Sequence, residues 1–115
     1  MATLTRTVTA DDTALAVGSG DLEVLGTPVV VAWCEAATVA ELELDAPLTS
    51  VGTHVDVRHL AASAVGTTIE VRAEITERDD RTVTFAVEAR DGDTVVARGT
   101  VVRAVVDRER FLARL

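Results

Sequence analysis

Four segments of the second half of the chain alternate apolar and polar residues with a period of two. They are SVGTHVDVRHLA (50–61), TTIEVRAEITE (67–77), TVTFAVEAR (82–90) and TVVARGTVVRAVV (94–106). Side chains of a strand point alternately to its two faces, so this period predicts β-strands. The connectors at 78–81 (RDDR) and 91–93 (DGD) are short and polar, as hairpin turns are. Near the start, TLTRTVTA (3–10) predicts a further strand with a threonine-rich face. The segment after it, up to Pro28, holds glycines at 18, 20 and 26 and reads as a flexible loop without the GxGxxG spacing of a dinucleotide turn.

One segment breaks the period. Thr27 suits an N-cap and Pro28 a first helical position, which predicts a helix from about Pro28 to Leu44. Its first three turns are apolar all round, so it is expected to be buried on most sides. Glu41, Glu43 and Asp45 return the chain to water, and Pro47 marks the end. The tail DRERFLARL predicts a short helix with Phe111, Leu112 and Leu115 on one side.

An antiparallel sheet needs one face covered, and this helix is the only cover in the sequence. The expected fold class is α+β: a curved antiparallel sheet wrapped around a central apolar helix, the hotdog arrangement, as one domain over residues 1–115. Residues 94–106 are apolar on both faces, with Val95, Ala97, Val101 and Val105 on one and Val96, Val102, Ala104 and Val106 on the other. A second buried surface is implied, hence a homodimer.

Composition narrows the function. The chain has 115 residues, 48% of them hydrophobic but only 3% aromatic, so valine, alanine and leucine must fill the core. The net charge of −8 argues against nucleic acid and against an anionic membrane surface as partners. The single Cys34 and two histidines offer no zinc cluster without carboxylate help, and no metal or cofactor is expected. With no disulfide, no apolar leader and no run of about 20 apolar residues, a soluble cytoplasmic protein is expected.

The chemistry concentrates in three places. Glu35 is the only charge in VVVAWCEAATVA (29–40), where an unpaired carboxylate costs several kcal/mol (roughly 2–7 even for an uncharged polar group). It is expected deep among aliphatic neighbours. Alternation along 51–59 puts His59 on the face of Val51, Thr53, Val55 and Val57, toward the helix, and His54 with Asp56 and Arg58 toward solvent. His59 reads either as a core histidine held by one hydrogen bond or as a functional base. An inward imidazole opposite an inward carboxylate favours function, because such pairs shift each other's pKa. Glu35 could equally bond a backbone amide across a dimer. Thr27 serves as a cap, and its hydroxyl also lies beside free N–H groups that welcome an oxyanion. In a regular helix Thr27 and Glu35 stand about 12 Å apart along the axis, so a substrate between them, a folded-back loop or a site shared by two subunits all remain open.

Taken together, Thr27-Pro28, Glu35 eight residues on, and the block GTHVDVRHLA (52–61) resemble the fluoroacetyl-CoA thioesterase-like group of hotdog thioesterases. The resemblance spans nearly the whole chain. It implies a catalytic set of Thr27, Glu35 and His59, a place for Gly52 against the bound thioester, an acyl-CoA substrate, a dimer and no cofactor. Members that select fluoroacetyl groups are expected to close the pocket with aromatic residues before the Thr. Here that loop reads GSGDLEVLG, which suggests an aliphatic lid of Leu22, Val24 and Leu25 for a different short acyl chain. Arginines such as Arg58, Arg72 or Arg103 are expected near the pocket mouth to meet the CoA phosphates. The competing functions are a non-catalytic acyl-thioester binder and an enoyl-thioester hydratase using His59 and Glu35.

Overall fold

The computed structural model describes all residues from Met1 to Leu115. Five strands form one antiparallel sheet: β1 (Ala2–Thr7), β2 (Leu48–His59), β3 (Thr68–Arg78), β4 (Thr82–Asp91) and β5 (Thr94–Asp107). Their order is β1-β3-β4-β5-β2. Three α-helices accompany them, α1 (Ala14–Val17), α2 (Thr27–Leu42) and α3 (Arg108–Ala113), with one 3-10 turn at Ala10–Asp12. The curved sheet holding one long helix is the expected arrangement.

Helix α2 lies mainly on β3, with β1 and β4 flanking it. Val30, Cys34, Ala37, Thr38 and Leu42 are its buried positions, one stripe at helical spacing. They meet Phe85, Ile69, Val71, Val83 and Val101 from the sheet, all fully buried. The other side of the helix stays open, with Pro28, Ala32 and Val39 exposed, so one chain covers only part of an apolar helix. The helix also ends two residues earlier than its pattern predicts. Glu43 takes a left-handed conformation (φ 45°) that stops it.

The expected flexible loop is ordered. Thr13 caps α1 by accepting from the Ala16 N–H, Gly18 closes it at φ 76°, and short bridges join Thr13 to Leu25 and Val24 to Ala64. Polar side chains bonding their own backbone built structure where the composition suggested none. At the C-terminus, α3 forms with Asp107 as its cap, but only Phe111 is half-buried; Leu112 and Leu115 are exposed.

Strand β2 is an edge strand with no fully buried residue. Its register against β5 slips between Gly52 and His54, so Thr53 is a bulge. The bulge corrects the expected alternation. Ser50, Gly52, Val55, Val57 and His59 lie opposite Val105, Arg103, Val101, Gly99 and Ala97, the helix side of β5, whereas Val51 pairs with Ala104 and turns away with His54. A second irregularity, between Ala89 and Arg90 of β4, draws Val96 into the core instead of leaving it on the far face with Val102.

Gly99 lies opposite Val57, and a methyl group there would run into the backbone carbonyl of Asp56. Backbone cannot yield as a flexible side chain can. Gly99→Ala is therefore expected to destabilise the fold by about 1–3 kcal/mol, as overpacking does. Denaturant unfolding of the two proteins measures it.

Candidate functional site

Gly26, not Thr27, is the N-cap of α2, and no side chain caps the helix. A Cβ on Gly26 would come 3.2 Å from both the Ala14 nitrogen and the Val17 side chain, so α1 packs against the start of α2 at a residue without a side chain. Thr27 thus becomes the first helical residue. Its hydroxyl is released from capping and lies 2.7 Å from His59 Nδ1, at the end of β2. The sequence places Thr27 and His59 on two elements without joining them; the fold joins them.

A cavity of about 330 Å³ opens at this pair, walled by Ala14, Val24, Leu25 and Leu60. Of the residues expected in an aliphatic lid, Val24 and Leu25 line the cavity. Leu22 does not line the cavity and is exposed. His59 Nε2 is buried and makes no hydrogen bond. Burial lowers the His59 pKa below its ordinary 6.5, and the Ala61 backbone pulls more weakly the other way. The imidazole is therefore held toward its neutral form, which can accept a proton at neutral pH.

Glu35 is not part of this pair within one chain. Its carboxylate lies 3.7 Å from Arg103 Nη1, with the Glu35 side chain 36% exposed and Arg103 only 8%. The expected deep burial is corrected: Glu35 sits at the boundary, beside a buried cation. Arg103 is in turn held by Ser50, donating from Nε to Ser50 Oγ at 2.9 Å and from Nη2 to the Ser50 carbonyl at 3.2 Å. Gly52 completes the group, since a Cβ there would fall 2.7 Å from Glu35 Oε2. Parity along β5 could have found Arg103, two residues from inward Val101 and Val105.

The other expected site residues separate. His54 is exposed on the outer face, as its position predicts. Arg72 pairs with Glu70 at 2.6 Å, and Arg58 faces Arg98 across the strands, both exposed. Neither lines the cavity at Thr27 and His59, and buried Arg103 points to Glu35 rather than to a mouth. Cys34, next to Glu35, is buried; burial first, and the Glu35 charge second, push its thiol up to about 11. No group of three or more His, Cys, Asp or Glu side chains is placed to hold a metal ion, and no helix is long and apolar enough to cross a membrane.

Comparison with known proteins accords with this architecture. A hot-dog-like protein from Thermanaerovibrio acidaminovorans superposes with a TM-score of 0.87 at 22% identity, over 97% of this chain and 84% of that one, and shows the hotdog fold. A variant of the fluoroacetyl-CoA-specific thioesterase FlK, crystallised with fluoroacetate and CoA, superposes with a TM-score of 0.90 at 30% identity, over 97% of this chain and 94% of that one. A fluoroacetyl-CoA thioesterase of Streptantibioticus cattleyicolor is 38% identical over 66 residues, 57% of this chain; the match spans about half (48%) of that relative's length. The fold class is that of the hotdog thioesterases. The family model described as fluoroacetyl-CoA-specific thioesterase matches residues 8–109, and the chain belongs to that family of thioester hydrolases.

The lowered His59 pKa gives a pH dependence with a definite sign. The unfolded chain binds a proton at His59 where the folded one does not, so stability is full above about pH 6.5 and falls as the pH drops from there to the native pKa. Denaturant midpoints at pH 7.5 and 5.5 are expected to differ more in the native protein than in His59→Gln.

Proposed function

We propose that this protein hydrolyses a short-chain acyl-CoA to the free acid and CoA, using Thr27, Glu35 and His59, with Gly52 against the bound thioester. The observation that carries the reading is the 2.7 Å bond between Thr27 Oγ1 and His59 Nδ1 inside an aliphatic cavity at a helix start. A hydroxyl bonded to an imidazole kept neutral can move a proton during acyl transfer. N–H groups of the first turn of α2, or that of Gly52, can meet the developing oxyanion. The Glu35 carboxylate supplies the group that attacks the thioester carbonyl or drives a water onto it. Residues 1–115 act as one domain in this reading, with no cofactor, and a cytoplasmic setting suits a chain whose one thiol is unpaired.

A homodimer brings the groups together. Along one strand Gly52 and His59 are separated by roughly 20 Å at about 3.3 Å per residue. The free edge of β2 can pair with its own copy, and an antiparallel pairing centred on Asp56, with Thr53 bulged out, would set Gly52 of one subunit opposite His59 of the other. Glu35 would then reach the Thr27–His59 pair of the partner. The open apolar side of α2 supports a second copy as its cover.

Cavity walls of Ala14, Val24, Leu25 and Leu60, without a Phe, Tyr or Trp, favour an aliphatic acyl group over fluoroacetyl. A panel of short acyl-CoAs assayed for thiol release tests the activity; no turnover of any by a folded dimer counts against it. Glu35→Gln and His59→Ala are each expected to lower turnover about 10²–10⁴-fold, and His54→Ala to leave it near the native value. Mixing the two inactive variants is expected to restore activity, because a mixed dimer rebuilds one intact shared site. Failure of exchanged mixed dimers to do so would place each site within a single chain.

A further inference from the structure

We propose that the cleft at Arg58 and Arg98, on the outer face of the sheet, holds the phosphate groups of the coenzyme, so that this protein selects a CoA ester over the same acyl group on a carrier without the nucleotide. The inference rests on the reading of the Thr27–His59 cavity as the acyl-thioester site.

A row of charges crosses the outer face. Arg58 of β2 faces Arg98 of β5, which faces Glu88 of β4, which faces Arg72 of β3. Like charges directly opposite on neighbouring strands repel. Arg58 takes part in none of the chain's ion pairs, not even with Asp56 two residues back on the same face. Arg98 donates from Nε and Nη2 to Glu88 Oε2 at 3.2 and 3.1 Å, but Glu88 also holds Arg90. Arg72 is matched by Glu70. Four arginines thus share two glutamates, a cationic spot on a chain whose net charge is −8.

The place of this spot gives it a use. A cleft of about 320 Å³ is lined there by Asp56, Arg58, Leu60, Arg98, Gly99 and Thr100, two cations against one acid. Leu60 also walls the cavity at Thr27 and His59, so one exposed apolar side chain separates the two spaces. A pantetheine arm leaving the thioester crosses Leu60, and the phosphates that follow it arrive at Arg58 and Arg98. A guanidinium fork suits phosphate, to which it can donate two parallel N–H bonds. The exposed Arg58 guanidinium and Nη1 of Arg98 are free to donate them. In the proposed homodimer, β2 spends its edge on backbone pairing, and this outer face stays open.

The test compares two carriers of one acyl group: CoA, and pantetheine, which keeps the thioester and loses every phosphate. The acyl group is the one the native protein turns over best. Arg58→Gln and Arg98→Gln are each expected to lower kcat/KM for the CoA ester about fivefold, through KM, the size of a strong exposed charge contact. Neither is expected to change kcat/KM for the pantetheine ester. Added salt is expected to shrink the native preference for the CoA ester. Equal losses on both carriers, no loss on either, or a native protein indifferent to the carrier would each overturn the inference and leave the hydrolase reading standing. Arg98 lies on β5, away from the β2 edge, so Arg98→Gln decides should Arg58→Gln disturb the dimer. If the native protein cleaves neither ester, the functional reading fails. Calorimetric titration with free CoA then decides this inference: weaker binding by the doubly substituted protein supports it, and equal binding or none by the native protein overturns it.

Discussion

A helix as apolar as α2 cannot stand in water, and the sheet has to curve to cover it. That requirement sets much of the architecture. Strands β1, β3 and β4 take the stripe of Val30, Cys34 and Ala37, which fixes the helix side of the whole sheet. Once that side is fixed, the register of β5 with β2 decides which chemistry faces inward. Gly99 lets the two backbones approach closely, and the Thr53 bulge turns Gly52 and His59 to the same side. Without the bulge, two residues seven apart in sequence would point to opposite faces.

The lone carboxylate of α2 has its partner in Arg103, seen only when β5 is laid beside β2. Two polar clusters result, Thr27 with His59 and Glu35 with Arg103, Ser50 and Gly52. Of their buried polar side-chain atoms, only His59 Nε2 lacks a hydrogen-bond partner. Each has only part of what acyl transfer requires, namely a proton carrier in one and a charged oxygen in the other. In the proposed homodimer, a second copy unites them across the free edge of β2 and the uncovered side of α2.

The pattern of the sequence displays most of the fold and less of the site. Period-two alternation located all five strands, and the apolar helix with its Pro28 located α2, because both signals come from burial along one element. Alternation also assigned His59 and His54 to the correct faces. It misassigned Val51, because a bulge shifts parity without leaving a mark in the residue types. Thr27 looked like a cap since serine and threonine usually cap; a tertiary bond to His59 took the hydroxyl instead, and Gly26 took the cap. Arg103 escaped notice as the partner of Glu35 for a related reason: a cation between two inward valines is legible by parity, but its partner lies on another element, 68 positions away.

Thioester hydrolysis ends with a free thiol in solution, and this chain carries a thiol of its own. Cys34 is buried and pushed up to about 11, so almost none of it is thiolate at neutral pH. In the proposed reaction, the acyl-CoA finds no thiolate on the enzyme to take over its acyl group and release CoA. Disulfide reagents that count product molecules would likewise leave the catalyst untouched, and the colour they develop would report turnover alone.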